Sequence, residues 1–425
     1  MPPAVDHNAR QLFGDVLGFG IQAGATLSFL PVYFAHLGAS GFQVALITAG
    51  PAVMNLLLSL PSVRWLQGRS LLRVTFDMLV FNRLCYVPFL FLPWLVGPST
   101  EIWVMVTLVS LAMVPGTLIN VGFNAMFADL VPPEHRATVV GGRNSLMGLS
   151  TLVTSLLCGW LLKVVAFPLS YQIVFALGLF GLGISTFFLA RLRDQHGHPP
   201  HRAHPLLAWP QAAAGRLVQI VRTTGQTLAS PAGRPGLSAE SARLDLLRGP
   251  FGLFLLAYFL FYTFQYVPVP LLPLFWVNQL HLSDSVISIG NGAFQLAVLA
   301  TSAVLGAVAG RFGHKRVLVI AAGLYALQPL LNALATGVPL YLVSAIVGGI
   351  GWGFAGGTMA TRLMERVPAN DRPAHMALFN LSVYLGVLAG SFLGPVVGDW
   401  IGLRESLLVS GGLRIVAAVL MLIWA

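Results

Sequence analysis

The sequence contains few charged residues. Asp, Glu, Lys and Arg make up 9% of its 425 residues, against about a quarter in an ordinary soluble domain. Hydrophobic residues make up 56%, and a soluble fold could not cover that much apolar surface with so few charges. The composition therefore excludes a typical soluble protein and indicates an integral membrane protein, whose apolar side chains face lipid.

Other absences narrow the functional classes further. The two cysteines, Cys85 and Cys158, both lie in apolar runs, so no disulfide framework is predicted. No Gly-Lys-Ser/Thr loop for nucleotide phosphates occurs, which argues against direct drive by ATP. The apolar runs hold no Ser-His, His-Glu or paired-carboxylate constellation, so neither an enzyme nor a cofactor is predicted. No cleavable signal peptide is predicted at the N-terminus.

What the sequence does contain is a series of long apolar runs. A helix needs about 20 residues to cross a bilayer. The twelve predicted spans are 12–35, 41–62, 73–97, 101–127, 139–165, 168–191, 251–278, 283–309, 315–335, 338–362, 373–400 and 404–425. The runs are continuous rather than alternating, which predicts helices and not barrel strands.

The positions of the cations explain the formal net charge of +10. Most of the 24 Lys and Arg residues lie in the N-terminal tail or in the loops that follow even-numbered spans. The opposite loops contain only Lys163 and Arg404. By the positive-inside rule both termini are predicted to be cytoplasmic. The basic charge is then a topology signal, and nucleic acid is not a predicted partner.

Residues 192–249 form the only long polar stretch and divide the chain into two sets of six spans. Part of this stretch, around Leu206–Leu228, is either a helix on the inner membrane surface or a solvated linker. The two sets repeat each other, because Val131–Arg136 aligns with Val367–Arg372. The predicted domains are therefore 1–191, 192–249 and 250–425.

The linker also carries a histidine cluster, made of His196, His198, His201 and His204. Imidazoles so close together could bind zinc or nickel. The surrounding stretch is rich in proline and offers no cysteine or acid that would hold a geometry. No metal site is predicted, and metal binding stays an open alternative.

The loop after span 8 carries a family signature. It has Gly306, three residues, Gly310-Arg311, and then Gly313 ahead of Lys315-Arg316. This run resembles the loop pattern of the major facilitator superfamily (MFS), which has Gly, three residues, Asp-Arg, then Gly and two basic residues; Gly310 stands at the Asp position. A more degenerate version follows span 2. The chain thus resembles an MFS transporter, of the prokaryotic efflux type, over essentially its whole length.

The resemblance implies a fold and a gate. The fold is an all-α integral membrane protein of twelve transmembrane helices in two six-helix pseudo-repeats, which moves a solute by alternating access. Charged residues at the cytoplasmic ends are expected to hold the halves closed in one state; alternatively they only fix topology and cap helices. The predicted gate residues are Arg64, Arg69, Asp129, Arg136, Arg311, Lys315, Arg316, Glu365 and Arg372.

The resemblance also implies a central cavity lined mainly by spans 1, 4, 7 and 10. The residues carried over to it are Gln22, Thr26, Thr117, Asn120, Asn124, Tyr258, Tyr262, Gln265, Tyr266 and Trp352. An aromatic and amide lining suits neutral or lipophilic solutes, although an aromatic stripe also serves packing alone. Pro268, Pro270 and Pro273 are predicted to break or kink span 7.

Ionisable residues inside spans are costly, so each is a functional candidate. Asp15 in span 1 and Arg83 in span 3 are predicted to couple transport to protons, because protonating the acid would release the arginine. Alternatively Arg83 bonds backbone carbonyls and Asp15 caps a helix or reaches the interface. Asp77 is expected to form a structural pair with a nearby arginine. Arg414 in span 12 has no evident acid partner.

The predicted function is secondary active transport of a small, neutral or lipophilic solute, with export coupled to protons. The predicted partners are that solute, protons and membrane lipid, and the chain is expected to act as a monomer in a prokaryotic plasma membrane. Two signals of the family's drug antiporters are absent, an arginine in span 4 and Gly-Pro in span 5. Uptake symport of a sugar-like or organic solute therefore stays an alternative, as does, from another class, a non-transporting sensor or membrane enzyme.

Overall fold

A computed structural model describes residues 3–66, 71–192, 244–367 and 372–424. These residues fold almost entirely into helices, and no strand occurs among them. Within these ranges, 11 helical segments are long and apolar enough to cross a membrane by length and composition. The prediction of an all-helical membrane protein is confirmed.

The helices follow one another with short connections. The first half contains α1 (Pro3–Gln22), a π-helical turn (Ala23–Leu27), α2 (Ser28–His36), α3 (Gly41–Leu66), α4 (Leu71–Leu84), α5 (Leu92–Leu95), α6 (Pro98–Leu130), α7 (Pro133–Val164) and α8 (Leu169–Leu189). The second half contains a 3-10 turn (Leu244–Arg248), α9 (Pro250–Tyr266), α10 (Leu271–Asn278), α11 (Asp284–Phe312), α12 (His314–Leu334), α13 (Val338–Arg366), α14 (Arg372–Ile401) and α15 (Leu403–Trp424).

The segment 73–97, predicted as one span, is not a continuous helix. The helix α4 ends at Leu84, and a 3-10 turn at Val87–Leu90 precedes the four-residue α5. Pro88 and Pro93 lie in these short elements and lack the N–H group that a continuing helix needs. This break explains why the segment does not count among the long apolar helices.

Proline also interrupts span 7, as predicted. The helix α9 ends at Tyr266 and α10 begins at Leu271. Pro268 and Pro270 lie between them and cannot donate to the preceding turn. The prediction of a break in this span is confirmed.

Residue contacts divide the described chain into two compact units. Unit 1 contains residues 3–29, 53–66, 71–154 and 164–192. Unit 2 contains residues 30–52, 155–163, 244–367 and 372–424. In unit 1, α1 packs on α8 and α4 packs on α6. In unit 2, α13 packs on α11 and α12, α9 packs on α14, and α12 packs on α15.

Unit 2 includes parts of α2, α3 and α7 from the first half of the sequence. The His36 Nε2 and Asp284 Oδ1 atoms are 2.8 Å apart. The Ser288 hydroxyl donates to the Ser155 carbonyl oxygen. The contact units therefore differ from the two sequence halves. The linker that was predicted to separate those halves lies largely outside the described residues, and the division at 192–249 stays a prediction.

Glycines allow close helix packing in unit 2. Three of them, Gly386, Gly390 and Gly394, repeat every four residues along α14. A Cβ at each would press on a backbone carbonyl oxygen of the α9 segment, those of Phe259, Thr263 and Val267. This run of small residues therefore serves close packing between α14 and α9.

Candidate functional site

A cavity of about 420 Å³ lies within unit 1. Its described polar lining consists of Asp15, Gln22, Asn82, Arg83, Tyr86, Asn120, Arg143 and Ser185. Its apolar lining includes Phe19, Leu27, Leu79, Met113, Ile119, Phe123, Leu182 and Leu189. A volume of this size fits a small organic molecule.

Asp15 is the centre of a charge network in the wall of this cavity. Its side chain is 8% exposed, and its Oδ2 lies 3.2 Å from Nη2 of Arg143 on α7. The hydroxyl of Ser185 on α8 donates to Asp15 Oδ1 at 2.5 Å. Nη2 of Arg83 on α4 donates to that same hydroxyl oxygen at 2.6 Å. One carboxylate is thus held directly by one arginine and through a hydroxyl by another.

Two glycines place Ser185 beside Asp15. A Cβ at Gly18 of α1 would meet the Gly181 carbonyl oxygen and the Ser185 backbone nitrogen of α8. Without side chains at these positions, the two helices approach closely. Asp15 lies one turn before Gly18, and Ser185 lies one turn after Gly181, so their polar side chains meet.

The cavity contains some of the residues predicted to line it. Gln22 and Asn120 lie in its wall. Thr26 is buried against Gly178 of α8. A Cβ at Gly178 would collide with the Thr26 hydroxyl oxygen. The Thr117 hydroxyl donates to the Met113 carbonyl oxygen at 3.1 Å within α6. The side chain of Asn124 lies outside the described residues.

Arg143 is the functional candidate that sequence analysis missed. It lies near the start of predicted span 5, where a cation is also typical of a topology signal. Because α7 begins at Pro133, Arg143 lies well inside the helix and reaches Asp15. Its guanidinium places a positive charge in the cavity wall beside Asp15. Ser185 and Asn82, also in the cavity wall, carried no sequence signal of their own.

Asp15 and Arg83, which were predicted to pair, are connected through a third side chain. The Ser185 hydroxyl lies between them and bonds both. Arg83 is 8% exposed, and this hydrogen bond goes to a side-chain hydroxyl. The alternative of a purely backbone-bonded arginine does not match this contact.

The residues predicted to line the cavity from span 7 contact neighbouring helices of unit 2. Tyr258 is fully buried, with its ring 4.6 Å from that of Phe254 and 5.1 Å from that of Phe379. The Tyr262 hydroxyl lies 3.7 Å from the Met359 sulfur. Tyr266 packs against Gly390 of α14, because a Cβ at Gly390 would meet the Tyr266 Cβ. Gln265 is buried.

Trp352 of span 10 also packs within unit 2. Its ring lies 5.6 Å from that of Tyr325 on α12. The glycines around it bring α13 against both neighbours: a Cβ at Gly351 would meet the Tyr325 backbone, and one at Gly349 would meet the Phe294 carbonyl oxygen of α11. The glycine run therefore serves close helix contact on two faces.

Arg414, which had no evident partner in the sequence, bonds two carbonyl oxygens. It is 3% exposed. Its Nη1 donates to the Tyr325 oxygen at 3.0 Å, and its Nη2 donates to the Gln265 oxygen at 2.7 Å. Pro329 follows Tyr325 by four residues inside α12 and has no N–H to offer that oxygen. After the end of α9, the Val269 N–H donates to the Tyr266 carbonyl oxygen and not to that of Gln265. One guanidinium thus bonds a carbonyl oxygen that Pro329 leaves without a donor inside α12 and a second carbonyl oxygen near the end of α9.

Among the predicted gate residues, Glu365 lies in a described charge cluster. Its carboxylate is 2.8 Å from His314 Nδ1 and 2.7 Å from Arg362 Nη1. Neither partner was predicted for it. Lys315 and Arg316 follow His314 in the first turn of α12.

The other gate residues are placed as follows. Arg136 Nε donates to the Val131 carbonyl oxygen at 2.9 Å, which ties the start of α7 to the end of α6. The Arg311 guanidinium lies 5.5 Å from the Phe312 ring centre. Arg69 lies outside the described residues, as do the side chains of Arg64, Asp129 and Arg372.

The histidine cluster and the predicted interfacial helix also lie outside the described residues. In the parts of the chain that the structure describes, no group of three or more His, Cys, Asp or Glu side chains could hold a metal ion.

Long apolar helices around a cavity of small-molecule size, with a buried charge network in its wall, define a polytopic membrane transporter. The model of the Major Facilitator Superfamily matches residues 16–247 and 254–425. The chain belongs to this family.

The similar proteins include a drug-resistance protein and a sugar transport protein. Multidrug resistance protein 2 of Bacillus subtilis (strain 168) is 24% identical over 151 residues, which cover 36% of this chain and 37% of that protein. Sugar transport protein 11 of Arabidopsis thaliana is 30% identical over 143 residues, covering 33% and 27%. The matches thus span little more than a third of these relatives at most.

Solved structures share the fold over the full length. The crystal structure of a D-xylose-proton symporter has a TM-score of 0.67 at 15% sequence identity, with 98% of this chain and 96% of that chain covered. At this identity the likeness describes the fold alone.

Proposed function

We propose that the chain is a proton-coupled secondary active transporter whose solute and proton sites share the cavity of unit 1. The observation that carries the proposal is the buried network of Asp15, Arg143, Ser185 and Arg83 in the cavity wall. Protonating Asp15 removes its charge and frees the Arg143 guanidinium. Such a change of charge inside a membrane protein is large enough to bias two conformations.

Export of a neutral or lipophilic solute is the first direction we consider. The aromatic and aliphatic side chains of Phe19, Met113, Ile119 and Phe123 in the cavity wall support it. Similarity to a multidrug resistance protein of Bacillus subtilis supports it as well.

Uptake of an organic solute together with protons is the second direction. The amides of Gln22 and Asn120 and the two arginines in the same wall favour it. Similarity to a plant sugar transport protein is consistent with it. In either direction, we propose a monomer in a prokaryotic plasma membrane with both termini cytoplasmic, and a gate that includes Glu365.

The proposal is tested in bacteria that lack their own efflux pumps and express the wild-type chain or Asp15→Asn. Accumulation of lipophilic dyes and of labelled sugars and organic acids is measured with and without a protonophore. We expect a protonophore-sensitive change in accumulation for the wild type and none for Asp15→Asn. Lower accumulation identifies export, and higher accumulation identifies uptake.

Asp399→Asn is the matched control, because Asp399 is an exposed acid on α14, outside the cavity. It is expected to behave as the wild type. If Asp15→Asn keeps full protonophore sensitivity at equal expression, Asp15 is not the proton site and the proposal fails.

A further inference from the structure

We infer that the solute bound in the unit 1 cavity carries one anionic group, a carboxylate or a group of equal charge, which Arg83 and Arg143 hold between them. The inference rests on the proposed function of this cavity as the solute site. It replaces the expectation of a neutral solute, which depended on an aromatic and amide lining.

The charge of the cavity wall supports an anionic ligand. The described lining residues carry two guanidinium groups, those of Arg83 and Arg143, and one carboxylate, that of Asp15. Arg83 is 8% exposed, and the Arg143 side chain is 14% exposed. A buried positive charge without a counter-ion is costly, most of all within a bilayer. A ligand with one negative charge would neutralise the excess.

The hydrogen-bond donors of the two arginines point to the same ligand. Arg83 uses Nη2 for Ser185, and Arg143 uses Nη2 for Asp15. In each residue Nη1 is buried and has no hydrogen-bond partner in the part of the chain that the structure describes. An unpaired buried donor is unfavourable, and a guanidinium fork matches the two oxygens of a carboxylate. Because both nitrogens are shielded, we expect the guanidinium groups to rotate when a ligand binds.

The rest of the wall selects an organic anion over an inorganic one. Phe19, Met113, Ile119 and Phe123 offer apolar and aromatic surface. A volume of about 420 Å³ lies in the range of pockets that hold small organic molecules. The ligand class is therefore a small organic acid with an apolar body.

Competition for Arg143 determines how protons and the anion are coupled. The charged groups that face Asp15 are Arg143 from α7 and Arg83 from α4, while α8 contributes the Ser185 hydroxyl. An ionised Asp15 and a bound anion both require the same guanidinium. Protonation of Asp15 therefore favours binding of the anion, and by linkage the anion favours protonation. Proton and anion then move together, which selects uptake symport from the two directions above.

The test uses pairs of molecules that differ in charge but hardly in shape: benzoate and benzamide, phenylacetate and phenylacetamide, octanoate and octanamide. Apparent affinities are obtained from the ligand-induced rise of the thermal unfolding midpoint of the purified protein. A charge-assisted hydrogen bond is worth about 1.5–3 kcal/mol, so in at least one pair the acid should bind about 10- to 100-fold more tightly than the amide.

Variants connect this preference to the arginines and to Asp15. Arg143→Gln should remove most of the preference, and Arg143→Lys, which keeps the charge but loses the fork, should retain part of it. Lys163→Gln removes an exposed cation from the same helix and should change nothing. Binding of the acid should tighten as pH falls in the wild type, whereas in Asp15→Asn it should be tight and insensitive to pH.

The inference is overturned if no carboxylate binds more tightly than its amide at millimolar concentration. It is also overturned if the preference survives in both Arg143→Gln and Arg83→Gln. Transport in proteoliposomes under an imposed pH gradient separates this result from the proposed function. Proton-coupled transport that is lost in Asp15→Asn without any carboxylate preference would overturn the inference alone, and carboxylate binding without transport would overturn the proposed function.

Discussion

The guanidinium of Arg143 lies 3.2 Å from the carboxylate of Asp15 and joins α7 to α1 in the wall of the unit 1 cavity. The two side chains are only 14% and 8% exposed, so solvent and salt screen the pair less than a surface ion pair. Removing one partner leaves the other charge poorly solvated. Both residues are therefore expected to matter for stability as well as for coupling.

A double-mutant cycle measures the pair directly. Asp15→Asn and Arg143→Gln should each lower the free energy of unfolding by about 1–3 kcal/mol. Together they should cost less than the sum of the two, because each single variant leaves an unpaired charge that the other removes. Denaturant unfolding in detergent micelles measures these values, with Lys163→Gln as the control that should shift stability by no more than about 0.5 kcal/mol. Additive costs would mean that the two groups do not interact.

The cluster of Glu365 with His314 and Arg362 allows a test of gating apart from folding. The Glu365 side chain is 37% exposed, and an exposed ion pair contributes about 0–1 kcal/mol to stability. Glu365→Gln should therefore leave the unfolding midpoint nearly unchanged. If the cluster holds one transport state, the same substitution should change the transport rate about tenfold.

The control for this prediction is Glu405→Gln, which neutralises an exposed acid at the start of α15. It should affect neither the midpoint nor the rate. An unchanged transport rate in Glu365→Gln would assign the cluster to topology and helix capping alone.

The helices and the break in span 7 could be predicted from the sequence. Long apolar runs have few alternatives to helices in a membrane, and Pro268 and Pro270 interrupt span 7 because neither can donate a backbone hydrogen bond. The same rule applied to Pro88 and Pro93 is consistent with the break in 73–97, whereas hydropathy predicts one continuous span there. Hydropathy alone does not predict such a break, because short proline-containing turns are as apolar as the helices beside them.

The site was harder to predict than the fold. Periodicity places Tyr258, Tyr262 and Gln265 on one helical face, but it does not say whether that face meets a cavity or another helix. Arg143 was hidden for a different reason: a cation near a span end fits the positive-inside rule as well as it fits a buried ion pair. Its contact with Asp15 depends on how closely α7 approaches α1, and a Cβ at Gly20 of α1 would meet Ser150 and the Met147 carbonyl oxygen of α7.

Two glycines on α13 offer a matched test of helix packing. A Cβ at Gly353 would collide with the Thr301 hydroxyl and lie 3.1 Å from Val298 Cα, both on α11. At Gly356 the nearest neighbour of a Cβ would be Trp352 Cε2 at 4.0 Å. Gly353→Ala should therefore destabilise the protein by about 1–3 kcal/mol through overpacking. Gly356→Ala should be neutral or stabilising by up to about 1 kcal/mol, since alanine favours the helix.

Thermal unfolding of the two variants beside the wild type decides this prediction. Equal midpoints for Gly353→Ala and Gly356→Ala would contradict the close contact between α11 and α13.

The link between Arg414 and Pro329 predicts an unusual rescue. Arg414→Gln leaves the buried Tyr325 and Gln265 oxygens without their guanidinium donor, and each unsatisfied buried group costs about 1–3 kcal/mol. In a Pro329→Ala background, residue 329 regains an N–H that can donate to the Tyr325 oxygen four residues earlier. The cost of Arg414→Gln should then fall by about 1 kcal/mol or more, a coupling within the range for residues that share a partner.

Arg404→Gln is the matched control for this cycle. Arg404 also donates to carbonyl oxygens at the end of α12, those of Ala333 and Ala335, but these oxygens lie after Pro329 and do not depend on its missing N–H. The cost of Arg404→Gln should therefore be the same with proline or alanine at position 329. If Arg414→Gln also costs the same in both backgrounds, the guanidinium does not compensate for the proline, and Arg414 would need a functional explanation in place of this structural one.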